Sequence, residues 1–215
     1  MKGKFITFEG PEGAGKSTLI RKIAKQLETM DYEIFLTREP GGTPTGEAIR
    51  AILQHDYSGE EIYPRAELLL FEASRAQLVG KVIKPKLEEG VWVLCDRFIY
   101  STTAYQWYGR GFDIRQIEEL NYFAIKGCVP DLTLLLDLPV EVGLERTSKR
   151  RNESGEIQKP DRFEKEVLDF HKRVREGYLD IAKRDYKRVK VINADQEEDK
   201  VYLEASRVLF ERLGL

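Results

Sequence analysis

The stretch FEGPEGAGKST, Phe8 to Thr18, restricts the fold of this 215-residue chain more than any other segment. Gly10, Gly15, Lys16 and Ser17 fit G-x-x-x-x-G-K-[ST]. An apolar run, Phe5 to Glu9, precedes them, and Leu19, Ile23, Leu27 and Met30 follow at helical spacing. A strand that turns through glycines into a helix is built to hold phosphate. Successive backbone N–H groups of the loop point inward around phosphate oxygens, and the helix adds the positive end of its dipole. Gly10, Pro11, Glu12, Gly13, Ala14, Gly15, Lys16, Ser17 and Thr18 are therefore expected to bind ATP. Lys16 would reach the β- and γ-phosphates, and the Ser17 hydroxyl would ligate magnesium.

The rest of the chain repeats the alternation of strand and helix. Glu33 to Arg38, Val91 to Asp96, Leu132 to Asp137 and Val189 to Ile192 read as strands, several of them apolar almost throughout, as strands covered on both faces are. Pro64 is placed to start a long helix, which Pro85 should kink or end. The pattern predicts an α/β fold with a parallel sheet and right-handed crossovers. Arg146 to Phe163 breaks the rhythm: it is polar, arginine-rich and carries Gly155 and Pro160, and it reads as a mobile lid within one domain spanning 1–215.

Lysine and arginine (35) nearly cancel aspartate and glutamate (37). A net charge of −2 gives no reason to expect nucleic acid or a polybasic membrane contact, so any anion site must be local. No apolar stretch is long enough to span a bilayer, and the amino terminus enters a strand-like run directly, so the expected location is the cytoplasm. The two cysteines, Cys95 and Cys128, fit neither a disulfide framework nor a zinc spacing.

A nucleotide loop serves switches, motors and kinases alike. A guanine-nucleotide switch needs N-K-x-D, which is absent, and DYSG at Asp56 to Gly59 follows no apolar strand. A phosphotransferase needs a second pocket with positive charge and a lid. Asp96 and Arg97 fall at the carboxyl end of a strand, where ligands collect in open parallel sheets. Asp96 can orient water around a metal and Arg97 can clamp a phosphate; alone, such neighbours fit a surface ion pair equally well, but beside a phosphate loop the functional reading is favoured. Phe71 and Arg75 lie four apart on one helix face, suited to stacking on and hydrogen bonding a base; a core phenylalanine beside a solvated arginine is the commoner arrangement.

FEGPEGAGKST, TREPGGTPTGEAIR, LLLFEASRAQ, CDRFIYSTTAYQ and PDLTLLLDLPVEVGLER occur in this order, and the set resembles bacterial thymidylate kinases across essentially the whole chain. The resemblance implies a three-layer P-loop kinase fold with a five-stranded parallel sheet, and transfer of the γ-phosphoryl of ATP to dTMP with magnesium, within dTTP synthesis. It implies a homodimer. Carried over residue by residue, Phe71 stacks on thymine, Arg75 and Gln106 hydrogen-bond its edge, Thr102 sits beside the base, and Tyr105 crowds out a 2′-hydroxyl. Arg38, Arg50 and Arg97 hold the acceptor phosphate, with Glu39 and Pro40 in the same loop, and Glu12 accepts from the deoxyribose 3′-hydroxyl. Ser17 and Asp96 serve the metal. Phe98 stands where the family commonly has tyrosine and receives no contact. Asp161, Phe163 and Glu164 follow the lid and are expected to face the acceptor.

Because no basic side chain lies between Gly10 and Lys16, the resemblance also implies that a lid arginine stabilises the transferring phosphoryl. Arg150 is the first choice and Arg146 the second, both expected on a helix beginning near Pro139, with Arg162 as a further source of charge. Lys16, Arg97, Arg150 and Glu12 are thus the expected catalytic set. Removal of Arg75 is expected to alter base choice and barely affect stability.

Overall fold

The computed structural model describes residues 3–54, 60–149, 157 and 160–215. Its five strands, β1 (Phe5–Glu9), β2 (Ile34–Arg38), β3 (Trp92–Asp96), β4 (Leu132–Asp137) and β5 (Val189–Asn193), match the five apolar runs to within a residue or two at the ends. They form one parallel sheet in the order β2-β3-β1-β4-β5. The helices are α1 (Lys16–Glu28), α2 (Pro44–Gln54), α3 (Pro64–Leu78), α4 (Lys84–Glu88), α5 (Ile99–Thr102), α6 (Ile114–Ile125), α7 (Val140–Ser148), α8 (Leu168–Arg184) and α9 (Glu198–Leu213).

Alternation along each strand divides the core into layers. Ile6, Phe8, Leu94, Leu134, Leu136 and Ile192 pack with Ile20, Ile23 and Leu27 of α1 and with Ala205 and Leu209 of α9. The opposite face sends Phe5, Val93 and Cys95 against Leu78, Ile83 and Ile125, and Leu135 and Val189 against Val174, Tyr178 and Ile181 of α8. Both cysteines are buried, and neither is in a disulfide among the described residues.

Pro64 opens α3 at its first turn, where the missing N–H costs nothing. Of the two outcomes expected at Pro85, a kink or an end, the end does not occur. The run continues to Glu88 by widening into a π turn over Val79–Ile83, so that α4 can start with Pro85 in its first turn, where no N–H is required.

The topology sets the site. The chain leaves β1 toward β2 on one side and leaves β3 for β4 on the other, with β1 and β3 adjacent, which opens a crevice at their carboxyl ends. Phe8 aligns with Asp96, and Asp96 with Arg38, so Glu9, Arg97 and Glu39 follow at the next level, with Gly10 one residue beyond.

Candidate active site

The glycine loop is shaped by backbone contact. A Cβ on Gly13 (φ +71°) would lie 2.1 Å from the Gly143 carbonyl oxygen, and one on Gly143 would lie 2.3 Å from the Glu12 carbonyl oxygen. Two glycines thus let the loop rest directly on α7. Lys16 is buried and its Nζ donates to the carbonyls of Gly10 (3.0 Å) and Pro11 (2.8 Å), curling the loop around its own ammonium. Burial first, then the Arg97 charge, lowers its pKa to about 8. Ser17 Oγ donates to Asp96 Oδ2 at 2.8 Å, bringing together an oxygen from the first turn of α1 and one from the end of β3. Among the described residues no cluster of three or more His, Cys, Asp or Glu groups could hold a metal. A hydroxyl and one carboxylate beside a phosphate loop nevertheless fit magnesium, which takes few protein ligands and completes its shell with water and phosphate.

Two cavities adjoin. One of ≈ 470 Å³ lies over the loop from Glu12 to Thr18 and is walled by Arg38, Asp96, Arg146 and Thr147. The other, ≈ 480 Å³, is lined by Pro40, Phe71, Arg75, Thr102, Tyr105 and Gln106. Glu12, Glu39, Arg50 and Arg97 border both. Every described residue expected at the acceptor site therefore lies in the second cavity or at the junction, apart from Arg38, which lines the first.

Arg97 holds the junction. Its backbone is left-handed (φ 70°), a conformation that a non-glycine residue adopts at a cost and that is common at functional positions. Nη1 donates to Gly10 O (3.2 Å), Ser101 Oγ (3.1 Å) and Tyr178 Oη (3.0 Å), and Nη2 to Glu12 Oε1 (2.6 Å) and Tyr105 Oη (3.3 Å). Glu12 also accepts from Tyr105 Oη at 2.7 Å. Burial alone would raise the Glu12 carboxyl; the Arg97 and Lys16 charges and the Tyr105 hydroxyl outweigh it and hold it at about 2. Arg50 donates to Pro40 O (3.0 Å), and Arg38 pairs with Glu47 (2.9 Å). The Arg50 pKa is lowered, first by burial and then by Arg38, with Arg97 adding to it, which marks three guanidinium groups close enough to repel. An anion between them would relieve that repulsion.

Arg75 differs from the sequence expectation. Its side chain is 1% exposed, and its N–H groups go to Glu39 (2.9 and 2.7 Å), Glu72 (2.7 Å), Asn121 (2.9 Å), Thr102 (2.9 Å) and the Phe98 carbonyl (3.2 Å). It is a buried ionic hub in the cavity wall, so the expectation that its loss barely affects stability is overturned: two carboxylates would remain buried without it. Phe98, lacking a hydroxyl, packs edge-on against Phe5 at 4.9 Å.

Phe163 is buried against Phe71 and Tyr105 (5.8 Å to each), and with Asp161 and Glu164 it lines the second cavity. Arg162 turns away to the Leu53 carbonyl (3.0 Å) and to Glu67. Arg146 extends from α7 to the Ala194 carbonyl at 3.0 Å while lining the first cavity. α7 does begin at Val140, but it ends at Ser148, with Lys149 as its cap. Arg150 and half of the lid expected over 146–163 lie outside the described residues.

Sequence reasoning missed Glu9, Ser101 and Tyr178. Glu9 is fully buried and accepts from Phe98 N (2.8 Å), Ser101 Oγ (2.6 Å) and Tyr178 Oη (3.1 Å), fixing the turn that carries Arg97. A carboxylate ending a fully buried strand was the available signal. Glu67, Glu72 and Asn121 were also missed; the first two share α3 with Phe71 and Arg75.

Known proteins resemble this chain over most of its length. The family model for thymidylate kinase matches residues 8–204. A thymidylate kinase of Desulfovibrio desulfuricans is 50% identical over 200 residues, covering 93% of this chain and 92% of its own. That of Syntrophotalea carbinolica is 47% identical over 197 residues, covering 92% and 90%. The crystal structure of thymidylate kinase from Ehrlichia chaffeensis superposes with a TM-score of 0.77 at 35% identity, covering 97% of this chain and 99% of that one. With a likeness that runs through the glycine loop, the sheet and both cavities, the chain belongs to the thymidylate kinase family.

Proposed function

We propose that this chain transfers the γ-phosphoryl group of ATP to dTMP, giving dTDP and ADP, a step of dTTP synthesis in the cytoplasm. The observation that carries the reading is the pair of adjoining cavities. A phosphate loop borders one, an aromatic and amide-lined pocket forms the other, and guanidinium groups stand where they meet. An oxygen of the acceptor phosphate attacks the γ-phosphorus, the bond to the β–γ bridging oxygen breaks, and that electron pair leaves with ADP. No general base is needed, because the attacking oxygen is already ionised near neutral pH. Catalysis is positioning and charge stabilisation.

In this reading Lys16 and the loop N–H groups hold the donor phosphates. Arg97, Arg50 and Arg38 hold the acceptor phosphate, Phe71 stacks on thymine, Thr102 flanks the base, and Arg75 and Gln106 meet its edge. Tyr105 fills the space a 2′-hydroxyl would need, and Glu12, kept ionised by Arg97, accepts from the 3′-hydroxyl. Ser17 and Asp96 would hold magnesium, which when bound neutralises phosphate charge. The lid over 146–163 excludes water and supplies Arg150 or Arg146 to the transferring group.

We further propose a homodimer. Tyr122 and Phe123 of α6 are 75% and 83% exposed and Leu69 of α3 is 56% exposed, and α3 and α6 pack on each other, so this pair of neighbouring helices carries uncovered apolar groups.

ADP release measured with ATP and magnesium should depend on dTMP and remain low with dCMP or with no acceptor. Release indifferent to dTMP would refute the reading. Arg97→Ala should raise the KM for dTMP with ATP affinity, titrated separately, little changed.

A further inference from the structure

Gln106 is fully buried in the wall of the second cavity. Its Nε2 donates to Glu67 Oε1 at 2.8 Å, and its Oε1 has no hydrogen-bond partner among the described residues. Glu67 lies behind that wall, 1% exposed, one helical turn before Phe71. Arg110 (3.3 Å) and Arg162 pair with it, and Arg110 also pairs with Glu166 at 2.7 Å. The carboxylate is therefore braced by two guanidinium groups, one of them on the segment that carries Asp161 and Phe163 over the cavity.

An amide has a donor end and an acceptor end; a carboxylate offers acceptors only. Turning the Gln106 amide over would set its oxygen against the oxygens of Glu67 and forfeit the 2.8 Å bond. Glu67 thereby selects one of two orientations that are nearly equal in shape. A buried acceptor without a partner costs stability, and a ligand that supplies a donor recovers it.

We propose that Glu67 is a positioning residue for base selection: it turns Gln106 Oε1 toward the ligand, so that the base edge meeting Gln106 must carry a ring N–H. Thymine and uracil carry an imide N–H at N3. Cytosine presents a lone pair there and meets acceptor with acceptor. The proposal rests on the reading of the second cavity as the acceptor-nucleotide site, and it adds a residue that does not itself line that cavity.

The probes are dTMP and 5-methyl-dCMP, which share the methyl group, sugar and phosphate and differ only on the base edge. The readout is the ratio of their dissociation constants, measured by titration against the whole protein. Glu67→Gln keeps the size but can donate, which frees Gln106 to turn either way. The preference for dTMP should fall at least about tenfold, the scale expected when a buried group loses its matched partner. Affinity for ATP should be unchanged. Gln106→Leu should lower the same ratio, and adding Glu67→Gln to Gln106→Leu should lower it no further, because the two act as one unit. A Glu67 that only supports the fold would lower the melting temperature and leave the ratio intact, overturning the proposal. If Glu67→Gln does not fold, Gln106→Glu tests the polarity: it keeps an acceptor toward the base and should retain the preference for dTMP, whereas reversal of that preference would refute the assignment. The underlying reading fails separately, if Gln106→Leu changes the affinity for neither nucleotide.

Discussion

Arg75→Ala tests the part of the site where sequence and structure disagree. The side chain is 1% exposed and donates to Glu39, Glu72, Asn121, Thr102 and the Phe98 carbonyl, all within 3.2 Å. Truncation leaves two carboxylates buried near one another with their shared cation gone, and breaking such a pair from one side costs roughly 3–5 kcal/mol. The cost is bounded from above because burial, the largest influence on it, raises the Glu39 pKa to about 7 even with Arg75 present, so in the variant the group takes up a proton instead of staying charged. In a chain of this length 1 kcal/mol shifts the melting temperature by about 2–4 °C, giving a fall of about 6–20 °C in a calorimetric scan.

The pH dependence has a definite sign. A carboxyl raised in the folded state binds more protons folded than unfolded, so stability falls as pH rises from the unfolded value toward the folded one. In the parent that window closes at about 7. Without the lowering influence of Arg75 it extends further, and the variant should go on losing stability between pH 7 and 8, at up to about 1.4 kcal/mol per unit, where the influence of this group on the parent fades. Adding Glu39→Gln should recover part of the loss and flatten the extra slope. A melting temperature within about 2 °C of the parent at pH 7.5 would refute the ionic-hub account and restore Arg75 as a contact with ligand alone.

Lys16→Ala should lose nearly all phosphoryl transfer while unfolding close to the parent. ATP binding at pH 8 should take up about half a proton, because burial holds the free amine at about 8 and donor phosphates raise it; calorimetry in buffers of different ionisation enthalpy would refute this by showing no uptake. Gly143→Ala places a methyl carbon 2.3 Å from the Glu12 carbonyl, backbone against backbone, and should weaken ATP binding by about tenfold or more while lowering stability by about 1–3 kcal/mol. Of the lid arginines, Arg150→Ala should slow single-turnover transfer by about 10³ or more with nucleotide affinities kept, and Arg151→Ala should not. Losses below about tenfold in Arg146→Ala, Arg150→Ala and Arg151→Ala alike would leave the lid as a water shield.

The sequence by itself determined whatever depends on neighbours along the chain. Apolar runs of five or six residues became the strands, G-x-x-x-x-G-K-S became the turn between β1 and α1, and Asp96 and Arg97 fell at a strand end because an apolar run stops there. Each of these follows from backbone geometry at short range, where period and turn chemistry act directly. Only the tertiary structure decided how the polar groups are shared. Arg75 meets Glu39 across 36 residues and Asn121 across 46, and Glu9 meets Tyr178 across 169. No spacing encodes such pairings. Strand order and helix packing bring the partners together, and once buried, each charge must take whatever partner the fold presents, since an unpaired one is too costly to leave. The same need made Arg75 a structural hub as well as a cavity residue, and turned Gln106 toward Glu67.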